Sequence, residues 1–347
     1  MSLSILSICH LLVDGISASL LFQEGAAPAV AIILIYNTCA FTTQCLMGML
    51  PDKYGHGKVF VMLSSLILLC GVLIPGSLMT KAIIVGFGNS LFHVSGGYLT
   101  LKDSNNMWPL GIFVAPGAIG LFIGTNYNIV CLPFVLLLVI LSVILLLVDK
   151  SGEERIAVDH RKEKVLFVTN NGKRIKLIAF LLFAVATRAI GGSVVSFPWK
   201  TGLILGVITV FCVFAGKIVG GIIADKYGIN NTATVSIVFA SILISFFNLW
   251  MIPSLIGQFA LNISMPITLF LIYQLFPDSP GFAFGLAAAA LWPGTLIGQA
   301  IQLTGMWSGM LTVLCFTIGL LAICITEKEI ENEKDKNSYN VISHYDY

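Results

Sequence analysis

Four side chains able to carry or bind charge lie in stretches that are otherwise apolar: His10 and Asp14 in "ICHLLVDGIS", His93 in "NSLFHVSGG" and Arg188 in "FAVATRAIGG". His10 and Asp14 are four residues apart and share one face of a helix. Imidazole titrates near neutral pH, so His10 and His93 suit the carriage of a proton. The carboxylate of Asp14 can accept or release one, and the planar guanidinium of Arg188 offers charge-assisted hydrogen bonds to an anion. A charge at the centre of a bilayer costs on the order of 2.5–3.5 kcal/mol even on insertion scales, so each of these groups requires a partner or a wet cavity. Two readings are open for Asp14 and Arg188: a permanent pair that fixes helix packing, or a carboxylate that exchanges between Arg188 and a proton or substrate. The second is the expectation carried forward. For His93 and His10 the alternative is a hydrogen-bonded core or interfacial histidine. Asn89 and Asn262 are polar residues that could complete a site, although helix-to-helix hydrogen bonding explains each as well.

The elements that must position these groups follow from composition. Of 347 residues, 57% are apolar and 10% charged, and the mean hydropathy is +0.95, outside the range of soluble domains. The lipid bilayer is therefore the first partner. Twelve apolar runs can be read, at 3–22, 28–49, 58–78, 82–101, 109–126, 128–149, 177–196, 201–221, 231–251, 257–275, 281–303 and 306–326. Each is about long enough to span a hydrocarbon core of about 30 Å at about 1.5 Å per residue. The first lacks a preceding Lys or Arg and carries His10 and Asp14, so it reads as a retained helix rather than a secretory signal.

Charge orients the chain. Lys81 and Lys200 fall in turns on one side and Arg188 within a helix; the remaining sixteen of nineteen Lys and Arg fall on or next to the other side. By the positive-inside rule that side is cytoplasmic and holds both termini. The eight cysteines all fall within helices without a CxxC pair, so no metal site or disulfide is expected. No basic stripe interleaved with aromatics suggests nucleic acid. No GxxxxGK loop suggests ATP as an energy source, and no nucleophile, base and orienting group converge in a motif, so an enzyme is not expected.

The chain divides into halves. Residues 150–176 form a long polar stretch after six runs, giving an N-terminal six-helix bundle (1–149), a cytoplasmic linker (150–176), a C-terminal six-helix bundle (177–326) and an acidic cytoplasmic tail (327–347). The tail reads as a short solvated helix end followed by disorder. The string "DKYG" occurs in both halves, in "GMLPDKYGHGK" and "GGIIADKYGIN", and one offset relates Asp52, Lys53 and Gly55 to Asp225, Lys226 and Gly228. "APGAIG" (115–120) and "WPGTLIG" (292–298) repeat at nearly the same offset, with Pro116, Gly117 and Gly120 in one and Pro293 and Gly294 in the other. Two parallel six-helix halves around a midplane site are the plan of an alternating-access transporter. Gly48 and Gly221 permit close helix approach, Gly55 and Gly228 permit a tight turn, and a carboxylate suits a helix N-terminus. The loops therefore read as a latch between halves, or simply as solvated turns with topology-setting lysines.

"GMLPDKYGHGK", with Gly48, Asp52, Lys53, Gly55 and Lys58, resembles the signature loop of the major facilitator superfamily, G-x-x-x-D-(R/K)-x-G-(R/K)-x-(R/K). The resemblance implies an all-α membrane protein of twelve helices in two pseudo-symmetric bundles, with helices 1, 4 and 7 lining a central cavity. "VGFGNSLFHVSGG" and "HLLVDG" narrow it toward fosmidomycin-resistance-type exporters, which often follow the histidine with Pro-Glu where this chain has Val94 and Ser95. "GIFVAPGAIG" partly matches the Gly/Pro-rich antiporter motif, with Ala115 and Ile119 where glycine is usual. Pro116 frees a backbone carbonyl where the helix can bend. What the resemblance implies is a proton-coupled exporter of a small polar or anionic compound, driven by the proton gradient without a cofactor and monomeric in a bacterial cell membrane. A proton symporter or facilitator for an organic acid, and a non-transporting sensor of the same fold, are the alternatives.

Overall fold

The computed structural model describes residues 2–22, 29–102, 104–148 and 168–343. All regular structure among them is helical. In chain order the helices are α1 (Ser2–Leu21), α2 (Val30–Tyr54), α3 (Gly57–Leu73), α4 (Leu78–Leu101), α5 (Trp108–Asn126) and α6 (Asn128–Leu147), then α7 (Asn171–Val194), α8 (Gly202–Tyr227), α9 (Ile229–Phe246), α10 (Met251–Leu275), α11 (Pro280–Ala300) and α12 (Met306–Ser343). Ten of these are long and apolar enough to cross a membrane. The other two depart for different reasons. Helix α3 has only 17 residues, whereas α4 has 24 but dilutes its apolar residues with Asn89, His93 and glycine.

The helices are apolar on nearly every face, and large hydrophobic side chains such as Phe211, Phe239 and Leu314 stay more than half exposed on the outer surface. Such a surface fits lipid rather than water. The interior is closed by fully buried Phe92, Phe113, Leu68, Leu110 and Phe316.

Packing repeats with a period of six helices. Helix α1 packs on α5 and α6, and α7 packs likewise on α11 and α12. Helix α3 packs on α4 and α6, and α9 likewise on α10 and α12. The two sets of six meet chiefly along α2 with α11 and along α5 with α8. The internal repeat read from "DKYG" is thus a repeat of contacts as well as of letters.

Two boundaries differ from the sequence reading. Most of the expected linker, residues 150–167 of 150–176, lies outside the described residues, and α7 already begins at Asn171, where the Asn170 side chain accepts from the main-chain N–H of Lys173 at 3.0 Å. The expected tail is helical as far as Ser343, a direct continuation of α12. Its Glu and Lys residues are good helix formers, and Lys173 at the start of α7 pairs with both Glu329 and Glu333, the latter at 2.8 Å. The helix therefore does not end where the apolar run ends.

Candidate functional site

Helices α1, α2, α4, α5, α7, α8, α10 and α11 surround a cavity of about 340 Å³. His10, Asp14, Gln44, His93, Arg188 and Lys217 supply polar groups to a wall that is otherwise made of residues such as Val114, Leu269 and Leu291.

On the α1/α4 side, Asp14 is the hub. Its Oδ2 lies 3.3 Å from His10 Nε2 and its Oδ1 3.6 Å from His93 Nε2. Asn89 donates to Asp14 Oδ1 at 3.2 Å and to Ser17 at 3.2 Å, which fixes the carboxylate. Each histidine spends its other nitrogen on a main-chain carbonyl: His10 Nδ1 on Phe113 O at 2.7 Å and His93 Nδ1 on Asn89 O at 2.9 Å. A carbonyl oxygen only accepts, so both Nδ1 atoms carry the proton. In the neutral tautomer both Nε2 atoms then turn a lone pair toward Asp14. Three acceptors face one another until a proton, or another cation, enters the gaps. Gly117 makes room for this arrangement, because a Cβ there would collide with His10 Nε2 and Asp14 Oδ2.

Helix α5 supplies carbonyls because it is interrupted at Ala115, between segments Trp108–Val114 and Pro116–Asn126. Pro116 has no N–H to bond Ile112 O, and Ser7 donates to that carbonyl instead at 3.2 Å. The next two carbonyls go to His10 and to Lys217, whose Nζ donates to Val114 O at 3.2 Å. Three consecutive carbonyls thus meet side chains of α1 and α8, the first of them freed by the proline.

Two readings from the sequence change against the structure: the permanent Asp14–Arg188 pair that is the alternative to exchange, and the placement of Lys217. Asp14 pairs with His10 and His93, not with Arg188, whose guanidinium reaches Ser264 Oγ at 3.5 Å. The histidines occupy the carboxylate first because α1 and α4 belong to the same set of six helices, whereas Arg188 approaches from the other. The second concerns Lys217, which the sequence reading assigned to the cytoplasmic margin with the other basic residues. Helix α8 runs on to Tyr227 instead of ending near 221, so Lys217 lies about three turns inside it and lines the cavity. Its signal was in "VFAGKIVGG", a lysine with an apolar turn on either side. Asn262 does not reach the cavity: it bonds Gln258 O of its own helix at 2.8 Å and packs against Gly216. Gln44 does, and its Oε1 is buried without a partner among the described residues while its Nε2 bonds Ala40 O.

The two DKYG loops form matching joints between the sets of helices. Asp52 accepts from the main-chain N–H groups of Gly281 and Phe282, both at 2.8 Å, at the start of α11. Asp225 accepts from those of Met107 and Trp108, both at 2.8 Å, at the start of α5. Each carboxylate satisfies donors that a helix N-terminus leaves without intrahelical partners. Gly48 and Gly281 bring the main chains of α2 and α11 into contact, and Gly221 does the same for α8 against Met107. Gly55 and Gly228 take φ of 73° and 83°, a region side chains avoid. Lys53 and Lys226 each lie over the following tyrosine ring, at 5.3 and 5.1 Å, and Lys58 donates to Val148 O at 3.1 Å. Of the remaining expected bend residues, Gly120 packs on Leu11 O and Gly294 on the main chain of Ala186, while Pro293 lies inside an uninterrupted α11.

The sequence matches no family model and no curated protein. Among solved structures, the chain is similar to the major facilitator superfamily transporter FucP in its outward conformation, with a TM-score of 0.66, 11% identity, and coverage of 94% of this chain and 98% of that one. A point variant of the E. coli fucose:proton symporter FucP aligns with a TM-score of 0.67 at 11% identity, covering 94% and 97%. A point variant of the nucleoside transporter NupG aligns at 0.50 and 14%, covering 94% and 98%. The protein is a multi-pass membrane protein with the major facilitator fold. The neighbours that share this fold are transporters, not enzymes.

Proposed function

We propose that this protein is a secondary active transporter that works by alternating access, with twelve crossings in two six-helix bundles and both termini cytoplasmic in a bacterial cell membrane. His10, Asp14 and His93 couple the movement of a proton to that of a small polar or anionic compound, and Arg188 with Lys217 meets its negative charge. The observation that carries this reading is a single cavity whose one side presents two imidazoles and a carboxylate in need of a proton, and whose other side presents two cations. The Oε1 of Gln44, unpartnered among the described residues, favours a compound that also has a hydroxyl or amine donor. No cofactor enters the cycle; the proton gradient is the energy source, and a monomer is the working unit.

Export by proton antiport is the first reading of direction, on the likeness of α1, α4 and α5 to exporter sequences. Symport is the second, favoured by the likeness of the fold to a fucose:proton symporter. Sealed inverted vesicles carrying a pH gradient and a pH-reporting dye, challenged with small anions including fosmidomycin and hydroxy acids, test both. Compound-triggered proton movement in the wild type that is absent in Asp14→Asn supports coupling at Asp14, and its sign gives the direction. Equal responses in wild type, Asp14→Asn and Arg188→Ala would remove these residues from the mechanism.

A further inference from the structure

The donor atoms of His10, Asp14 and His93 all lie within 4.8 Å of one another. Two imidazoles and one carboxylate, with positions left open, are the donor set of an open transition-metal site. Three features suit the set to that use. Both imidazoles present Nε2, and each holds its Nδ1–H on a main-chain carbonyl, the outer-shell arrangement that fixes tautomer and ring orientation in metal-ligating histidines. Asn89 restrains the carboxylate in the same way. His10 Nε2 lies 3.3 Å from one carboxylate oxygen of Asp14 and His93 Nε2 3.6 Å from the other, so each imidazole stands within a few tenths of an ångström of the roughly 2.9–3.4 Å between neighbouring donors around an ion with bonds of about 2.0–2.2 Å.

We propose that His10, Asp14 and His93 form a binding site for one divalent transition-metal ion, which takes the place of the protons in the gaps beside Asp14. This rests on the reading of the cluster as the coupling site. The charged or titratable groups facing it from packed elements are Tyr36 of α2 and Lys217 of α8, with Arg188 of α7 lining the same cavity. Asp14 supplies one negative charge, so the ion keeps an excess beside two cations. Its open positions therefore select an anionic oxygen ligand, which Lys217 and Arg188 meet from the other side. The compound class that fits is a small oxyanion with a second oxygen or nitrogen donor, able to chelate a metal.

The test uses the full chain, purified in detergent with any affinity tag removed, and titrated with Co²⁺ at neutral to mildly alkaline pH. Wild type is expected to take up one ion with visible d–d bands, and X-ray absorption of that sample to show two imidazole ligands. Binding should weaken at least tenfold in Asp14→Asn and in His93→Gln. In Lys217→Gln it should tighten several-fold, a gain that a misfolded variant does not produce. Absence of saturable binding to wild type, a ligand set without two imidazoles, or affinity unchanged in all three variants overturns the proposal. Proton flux measured on the same protein with chelator present separates the two readings. Flux without metal binding removes only the metal site, and metal binding without flux removes only the proton coupling.

Discussion

Removing the Asp52 carboxylate should open the joint between α2 and α11. In the structure that carboxylate accepts two main-chain hydrogen bonds at 2.8 Å from the first turn of α11. A hydrogen bond to a charged group contributes about 1.5–3 kcal/mol; Asp52 is partly exposed, and solvent screening lowers this. Asp52→Ala should therefore weaken the closed joint by about 2–3 kcal/mol in total, a shift of roughly 30- to 150-fold in the ratio of closed to open forms at 1.4 kcal/mol per factor of ten. The readout is the distance distribution between spin labels at His56 and Asp278, both exposed on facing loops, in a background without the eight native cysteines. Wild type should give one short population, and Asp52→Ala a second, longer one. Gly48→Leu serves as the positive control, because its Cβ would meet the main chain of Gly281 and force the helices apart. A distribution unchanged in Asp52→Ala but lengthened in Gly48→Leu would show that helix contact, not the carboxylate, holds the joint.

Three further outcomes are expected. Lys217→Ala should raise the apparent KM for an anionic compound about tenfold or more, for the loss of one charge-assisted bond; an unchanged KM in vesicle titrations would confine Lys217 to anchoring Val114. Gly117→Ala should lower thermal stability by about 1–3 kcal/mol, the usual range for overpacking, and abolish compound-driven proton movement by displacing His10 and Asp14; a variant with wild-type flux would contradict the packing described for the cluster. Glu333→Gln should lower stability only slightly, and less at high salt, because its pairing with Lys173 lies at the surface, where water and ions screen it. A large, salt-independent loss would show that the extension of α12 is an integral part of the bundle.

Much of the fold could be read from the residues because the bilayer imposes a one-dimensional rule: a run of about twenty apolar residues becomes a helix that satisfies its own backbone. That rule gave the helices, their approximate ends and, through the repeated Asp52 and Asp225 loops, the two-fold plan. It also marked His10, Asp14, His93 and Arg188 as costly inside the membrane. It failed where side chains lengthen or break a helix against the hydropathy. Polar Asp225, Lys226 and Tyr227 continue α8 and so set Lys217 well inside it on the cavity wall, and Lys173 carries α12 past its apolar run.

What the amino-acid order alone determined was therefore which segments enter the membrane and which charged groups they take with them. Which charge meets which was decided by tertiary structure. Asp14 faces His10 by helical spacing, but it faces His93 and Asn89 only because α4 packs on α1. Pro116 announces one free carbonyl, while only the packing of α1 and α8 against α5 says that Ser7 takes it and that His10 and Lys217 take the next two. Partner choice is a three-dimensional competition: the carboxylate meets Asn89 and the two imidazoles of its own six-helix set, leaving Arg188 and Lys217 on the cavity wall with no carboxylate bound to them among the described residues.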